Sequence, residues 1–268
     1  MIITDAPAWF GFFFTIFGAV VGSFLNVVIY RVPIGFRVGL PTRSACPKCK
    51  KQLNWFENIP ILSFVFLRGK CRNCQVKINP RYPFVEAITA AMFLAIFKYF
   101  GISYSALYYA LFASLLISIT FIDLDHRIIP DVLSLPGILL GILGSPLASA
   151  IGTAGLVNSI LGAVLGFGFF WILSTLYQKI TGREGLGFGD VKLLTMIGAF
   201  LGPKGAFGTI VISSLVGSIA GITLMIAQKK TMKMAIPYGP FLAIGALTYM
   251  FWGEYLEFRY FKIFPGAF

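Results

Sequence analysis

The chain has 268 residues, of which 57% are hydrophobic and only 12% charged, and its mean hydropathy is +0.84. Soluble proteins carry roughly a quarter charged residues, so this composition excludes a soluble globule and points to a polytopic membrane protein. The net charge of +12 comes mostly from one stretch: half of the 22 Lys and Arg residues lie between Arg31 and Arg81, where Glu57 is the single acid. Beside a membrane span, such a stretch reads as a cytoplasmic loop near anionic lipid rather than a nucleic-acid surface.

Met1 to Pro7 contains Asp5 and no basic residue. A secretory signal needs a basic region ahead of its apolar core, so Ala8 to Tyr30 is expected to be a retained span, long enough for the roughly 30 Å hydrocarbon layer. Arg31 directly after it orients the span from outside to inside. Near its inner end, Gly22-Ser23-Phe24-Leu25-Asn26 places small and amide residues in the helix, a pattern suited to close helix packing with an interhelical hydrogen bond.

Residues 31–83 form the one expected soluble domain. Pro33, Gly35, Gly39 and Pro41 end the preceding helix. Cys46-Pro47-Lys48-Cys49 and Cys71-Arg72-Asn73-Cys74 then supply two Cys-x-x-Cys pairs, separated by slightly more than the roughly 15–20 residues usual between such pairs. Four thiolates in this pattern suit tetrahedral zinc, and on a reducing cytosolic face metal ligation is favoured over disulfides. A domain this small has little core of its own, so a zinc staple makes physical sense. Between the pairs, Trp55 and Phe56 either fill that core or rest on the membrane interface.

The spans return with Pro83 to Phe100, where Glu86 lies near the helix start, a place that favours acids. Tyr104 to Ile122 follows and delivers Asp123. Pro130 limits the helix, and Asp131 is expected to cap the next one. The uncharged run Val132 to Gln178 suits two crossings, with Gly144-Ser145-Pro146 and Gly152-Thr153 at the break. Lys179 and Arg183 then precede Gly187-Phe188-Gly189-Asp190. Val191 to Gly202, closed by Pro203-Lys204-Gly205, and Ala206 to Ala227 give two further spans. The last, Ile236 to Trp252, has Pro237, Gly239 and Pro240 near its start, which reads as a broken helix. The expected fold is therefore an all-α polytopic membrane protein of about eight transmembrane helices, with a small cytoplasmic zinc domain between helices 1 and 2. The domains fall at 1–30, 31–83, 84–253 and a tail at 254–268. No repeat is visible. Counting sides from Arg31, the basic clusters fall inside, and Asp123 and Asp190 both come to cytoplasmic helix ends.

Asp at the centre of a membrane helix costs about 2.5–3.5 kcal/mol on insertion scales, so acids at such positions are functional candidates. Two carboxylates brought within about 3 Å share a proton. One can activate a water as general base while the other acts as general acid. Gly187 and Gly189 would let a substrate backbone approach closely. Lys192, two residues after Asp190, points to another helix face and reads as an interfacial anchor. Asp125 is either a third ligand or a solvated acid, and His126 and Arg127 belong to the wet loop. A transporter using the acids as a proton or cation relay is the alternative reading, and a non-catalytic assembly platform with a zinc domain is a third.

Asp123-Leu124-Asp125-His126, Ile129-Pro130-Asp131 and Gly-Phe-Gly-Asp-Val-Lys at 187–192 resemble the bacterial type IV prepilin leader peptidases, aspartyl membrane proteases with a Gly-x-Gly-Asp motif. The likeness extends to Gly22 to Asn26, both cysteine pairs, Glu57-Asn58-Ile59-Pro60, Arg81-Tyr82-Pro83 and Pro237-Tyr238-Gly239-Pro240. It implies a multi-pass enzyme of the bacterial inner membrane with its active site facing the cytoplasm. Such an enzyme removes the basic leader of type IV prepilins and type II secretion pseudopilins, and then N-methylates the new terminus from S-adenosylmethionine. Asp123 and Asp190 are then the catalytic acids, Cys46, Cys49, Cys71 and Cys74 the zinc ligands, and Gly69 and Lys70 the positions tied to methyl transfer. Because prepilin leaders are themselves basic, the basic domain cannot attract them by simple charge. It is expected to lie against anionic membrane lipid, with pairing to the glutamate that the resemblance implies shortly after the cleavage site as the alternative, and no nucleic-acid partner is expected. The oligomeric state is left open.

Overall fold

A computed structural model describes residues 8–35, 44–46, 48–148, 155–182, 187–228 and 237–260. Gly39, Pro41, Pro47, Gly152, Thr153, Arg183 and the Lys229, Lys230 and Lys233 cluster fall outside the described residues, as do Lys262 and the rest of the chain after Tyr260. The described chain is helical, with only two isolated bridges, Ala45 with Gln52 and Lys70 with Lys77. Among the described residues, five helices are long and apolar enough to cross a membrane. The chain divides into two compact units, Met1–Ser118 and Ile119–Phe268.

In the first unit, α1 (Ala8–Arg31) packs along α3 (Arg81–Phe100). Gly18 and Gly22 make this possible: a Cβ on Gly18 would lie 2.7 Å from Phe93 Cβ, and one on Gly22 2.7 Å from Glu86 Cα. In hydrocarbon, where apolar surface alone gives helices little reason to associate, such small residues let backbones approach and gain dispersion contact. Phe14 on Phe97 and Phe17 on Phe93, with ring centroids 5.1 and 5.8 Å apart, fill the rest of the seam. Asn26 Nδ2 donates to the Tyr82 carbonyl at 3.0 Å, so the Gly22 to Asn26 stretch serves close packing with an interhelical hydrogen bond, as its residue types suggest.

Glu86 does not act at the first turn of α3. It is buried, and its Oε2 accepts the Ile61 N–H at 2.7 Å. An acid inside an apolar helix thereby gains a partner and ties the intervening segment to α3. That segment holds a 3-10 turn at Trp55–Asn58 and the short α2 (Leu62–Phe66). Gly101, at φ 66°, stops α3 by turning its N–H back to Phe97 O at 2.8 Å. Then α4 (Tyr104–His126) starts, with Ser103 Oγ accepting the Ala106 N–H.

The second unit takes the end of α4 together with α5 (Asp131–Gly144), α6 (Leu156–Thr181), α7 (Phe188–Gln228) and α8 (Gly239–Tyr260). Helices α6 and α7 meet backbone to backbone. A Cβ on Gly162 would strike Gly198 O, one on Gly198 would strike Gly162 O, and one on Gly166 would lie 2.5 Å from Leu194 O. Ser159 Oγ donates to Ala199 O across the same contact at 2.5 Å. On the α5 side of α7, a Cβ on Gly141 would lie 2.9 Å from Ala199 Cβ.

The expected connection at Pro203-Lys204-Gly205 is not a loop. Helical structure resumes at once after Gly202, whose φ of 72° and ψ of −175° open to glycine a conformation closed to other residues. Pro203 then needs no hydrogen-bonded N–H in a first turn. The chain nevertheless doubles back here. A straight helix would carry Ser213 about 35 Å from Asp190 at a rise of about 1.5 Å per residue. Instead the Ser213 hydroxyl lies 2.9 Å from the Tyr238 hydroxyl, while the next residue, Gly239, bonds Asp123, which in turn interacts with Asp190. The second arm of α7 runs beside α8, where a Cβ on Gly245 would lie 2.8 Å from Thr209 O. At the head of α8, Pro-Tyr-Gly-Pro precedes and opens the helix rather than breaking it, since proline fits the first turn.

Candidate active site

Asp123 lies in the last turn of α4 and Asp190 in the first turn of α7, both inside the second unit. The two carboxylates interact electrostatically. Asp123 is 5% exposed, while its sequence neighbours Leu124, Asp125, His126 and Arg127 are exposed. Asp190 is partly buried, its N–H donates to Gly187 O at 3.0 Å, and its carboxylate accepts the Gly187 N–H. The glycines around it have separate tasks. A Cβ on Gly187 would lie 3.6 Å from Asp190 Oδ2, an ordinary contact, whereas one on Gly189 would press on Ile129 Cβ at 3.0 Å. Gly189 is thus the residue that lets the first turn of α7 close on the segment after α4.

The feature that residue-by-residue reading misses is Gly239. Its N–H donates to Asp123 Oδ2 at 3.0 Å in a buried hydrogen bond, and a Cβ there would lie 2.6 Å from the same oxygen. The first residue of α8 therefore orients one carboxylate of the pair and leaves no room for a side chain. A signal existed in the sequence, the Pro-Tyr-Gly-Pro stretch, but nothing local shows that it faces an acid far back along the chain. Tyr238 anchors this turn through its hydroxyl to Ser213 and stands 6.1 Å, ring to ring, from Phe170.

One other acid resolves differently from expectation. Asp131 is the first residue of α5, not its cap; Pro130 holds the cap position and no side chain caps that helix. Asp131 Oδ1 instead accepts Lys192 Nζ at 2.5 Å, and Lys192 also stands 5.0 Å over the Phe188 ring. Lys192 thus ties the start of α7 to the start of α5.

In the first unit, the sulfurs of Cys46, Cys49, Cys71 and Cys74 all lie within 4.8 Å of one another, and Cys46 Sγ is 3.7 Å from Cys74 Sγ. Zn–S bonds of about 2.3 Å in a tetrahedron place sulfurs about 3.8 Å apart, so the set fits zinc. The two halves share one local plan. Cys46 N–H bonds Lys51 O and Lys50 N–H bonds Cys46 O; Cys71 N–H bonds Val76 O and Gln75 N–H bonds Cys71 O. Lys50 at φ 59° and Gln75 at φ 54° occupy equivalent turns. The sequence signals this short structural repeat only through its recurring cysteines; the turn that follows each pair recurs in backbone geometry, not in residue type. The Lys51 amide holds the Cys49 thiol down at about 6, and amides of Cys74 and Asn73 lower Cys71, which favours thiolates at those two. Against the Val76 amide, which lowers Cys74, burial and the neighbouring thiols push that thiol up to about 11.

Gly69, at φ 66°, donates its N–H to Phe64 O and accepts the Ile78 N–H, both at 2.8 Å. Its amide is therefore spent on the turn, and it positions Lys70, whose side chain is exposed.

Residues 16–100 match the Bacterial Peptidase A24 N-terminal domain, and residues 110–222 match the Type IV leader peptidase family. The chain is 36% identical over 267 residues to a prepilin leader peptidase/N-methyltransferase of Aeromonas hydrophila, covering 89% of each chain. It is 36% identical over 273 residues to one of Pseudomonas aeruginosa, covering 91% of this chain and 93% of the relative. A third, from Myxococcus xanthus, is 41% identical over 231 residues, covering 85% of this chain and 68% of the relative. No solved structure matches the chain.

Proposed function

The chain belongs to the type IV leader peptidase family, and from that premise we propose that it cleaves prepilin or pseudopilin leaders with Asp123 and Asp190 and then N-methylates the new terminus. The observation that carries the peptidase half is the convergence of these two acids from α4 and α7, with Gly239 orienting one of them. One carboxylate takes a proton from a water as it attacks the scissile carbonyl carbon, and the other gives a proton to the carbonyl oxygen. Collapse of the resulting tetrahedral diol passes a proton to the leaving amine and breaks the C–N bond, restoring the starting protonation of the pair. Gly187, without a side chain, leaves space beside Asp190 for the substrate backbone.

In this reading α1, α3, α4, α5, α6, both arms of α7 and α8 make eight crossings of the bacterial inner membrane, with the acids at the cytoplasmic side. Residues 31–83 form the zinc and methyl-transfer domain between the first and second crossings, 84–253 the peptidase domain and 254–268 a tail. Zinc held by Cys46, Cys49, Cys71 and Cys74 locks the two turns together. S-adenosylmethionine, when bound, supplies an electrophilic methyl group for the newly exposed amine. Of the two residues assigned to it, Lys70 has the free side chain to hold it and Gly69 shapes the turn beneath.

The test is cleavage of a synthetic prepilin by the full chain in proteoliposomes. Asp123→Asn and Asp190→Asn should each lose cleavage while still methylating a leaderless peptide. Near-normal cleavage by either variant would remove that residue from the catalytic pair.

A further inference from the structure

The segment between the two cysteine turns carries an apolar face that no described residue covers. In α2, Leu62, Val65 and Phe66 stand at positions i, i+3 and i+4, so they share one side of the helix, and they are 54%, 63% and 80% exposed. Trp55, in the preceding 3-10 turn, is 81% exposed, with Phe56 edge-on to it at 5.8 Å. No residue of either element is buried. Contiguous large apolar side chains of this kind mark a surface that something else covers.

Two hydrogen bonds set the height of this face along the helices. The Ile61 N–H, at the head of α2, bonds Glu86, which lies about 7.5 Å into α3 from Arg81 at about 1.5 Å per residue. Asn26 holds the corresponding end of α1 to Tyr82. The face thus sits where two apolar helices leave the hydrocarbon layer, within the roughly 5–10 Å band that interfacial helices occupy. Its rim is cationic. Arg68 and Lys70 follow α2 and are exposed, and Arg72 stands 5.4 Å over the Phe56 ring. Glu57, the acid of this stretch, is engaged by the Asn54 N–H at 2.7 Å. Exposed aromatic and aliphatic side chains with a basic rim suit an anionic lipid surface.

We propose that residues 55–66 form an interfacial anchor, with Trp55, Leu62, Val65 and Phe66 inserted among lipid headgroups and upper acyl chains while Arg68 and Arg72 meet anionic lipid. This rests on the reading of α1 and α3 as membrane spans. The anchor holds Lys70 at the membrane surface, where the new amino terminus of a membrane-embedded substrate emerges after cleavage.

Single-tryptophan full chains test it in phosphatidylcholine/phosphatidylglycerol bilayers. One carries Trp9→Phe, Trp171→Phe and Trp252→Phe, leaving Trp55; the other carries Trp9→Phe, Trp55→Phe and Trp252→Phe, leaving Trp171 in α6. Emission from Trp55 is expected to be shifted to the blue, quenched more by bromines near the headgroup than by bromines at the chain ends, and protected from iodide. Adding Val65→Ser and Phe66→Ser, with zinc content unchanged, should restore iodide quenching; unchanged protection in that variant would show that α2 is not the inserted face. Free quenching of Trp55 by iodide, without quenching by lipid bromines, would overturn the proposal. So would protection from both quenchers that grows with the protein-to-lipid ratio, which would assign the face to a second copy, or that appears only with added prepilin, which would assign it to substrate. If Trp171 also escapes the lipid bromines, it is the membrane reading that fails; if Trp55 alone escapes, it is the anchor.

Discussion

Replacing Gly239 with alanine would set a methyl group 2.6 Å from Asp123 Oδ2 and 3.2 Å from its Cγ. The first distance is too short for carbon against oxygen, so either the carboxylate turns away or the head of α8 backs off. Gly239 is not among the glycines with positive φ, and alanine is the best helix former, so α8 itself tolerates the change. What is lost is the 3.0 Å hydrogen bond from the Gly239 N–H to Asp123. Hydrogen bonds to charged groups contribute about 1.5–3 kcal/mol, and each 1.36 kcal/mol is tenfold in rate, so kcat for cleavage should fall about ten- to a hundredfold. KM should change little, because the methyl group points at the acid and not into open space. The assay is steady-state cleavage of a synthetic prepilin in proteoliposomes, with methylation of a leaderless peptide measured in parallel and expected to be unchanged. Gly221→Ala is the control, since a Cβ there meets nothing within 4 Å. A Gly239→Ala enzyme whose kcat matches that of the control would refute the assignment of Gly239 as the residue that orients Asp123.

The purified chain should contain one zinc, and Cys71→Ser should lose it, with methylation falling more than cleavage because the acids lie in the other unit; elemental analysis showing zinc retained in that variant would count against the ligand set. Gly162→Ala or Gly198→Ala drives a methyl group into the backbone of the facing helix. Overpacking of this kind costs about 1–3 kcal/mol, so the Tm in detergent should drop for each, and an unchanged Tm in both would contradict the close approach of α6 and α7.

Much of the candidate site could be read before any fold was known. Apolar runs long enough to cross a bilayer are visible because every backbone polar group in hydrocarbon must be satisfied within a helix. Asp123 and Asp190 stand out for the same reason, as charges that interrupt such runs and would be costly without a purpose. The clustering of the cysteine pairs was legible because two Cys-x-x-Cys pairs have the spacing that a four-thiolate metal site would need. Each of these signals is local.

Other features had no local signal. Glycine in an apolar run looks the same whether it faces lipid, a neighbouring helix or a carboxylate, so the crossing of Gly162 with Gly198 and the contact of Gly239 with Asp123 appear only once the helices pack. Asp131 looked like a cap because the residue before a helix and the first residue within it have similar preferences; its partner Lys192 lies on another helix. Glu86 looked like a charge at a helix start, yet its burial against the Ile61 amide depends on how the cysteine domain folds back. The helical, membrane-spanning character and the candidate residues were set by residue type and order. Which oxygen meets which amide was decided by helix packing, because those contacts join residues far apart in the chain and depend on where small side chains let backbones come together.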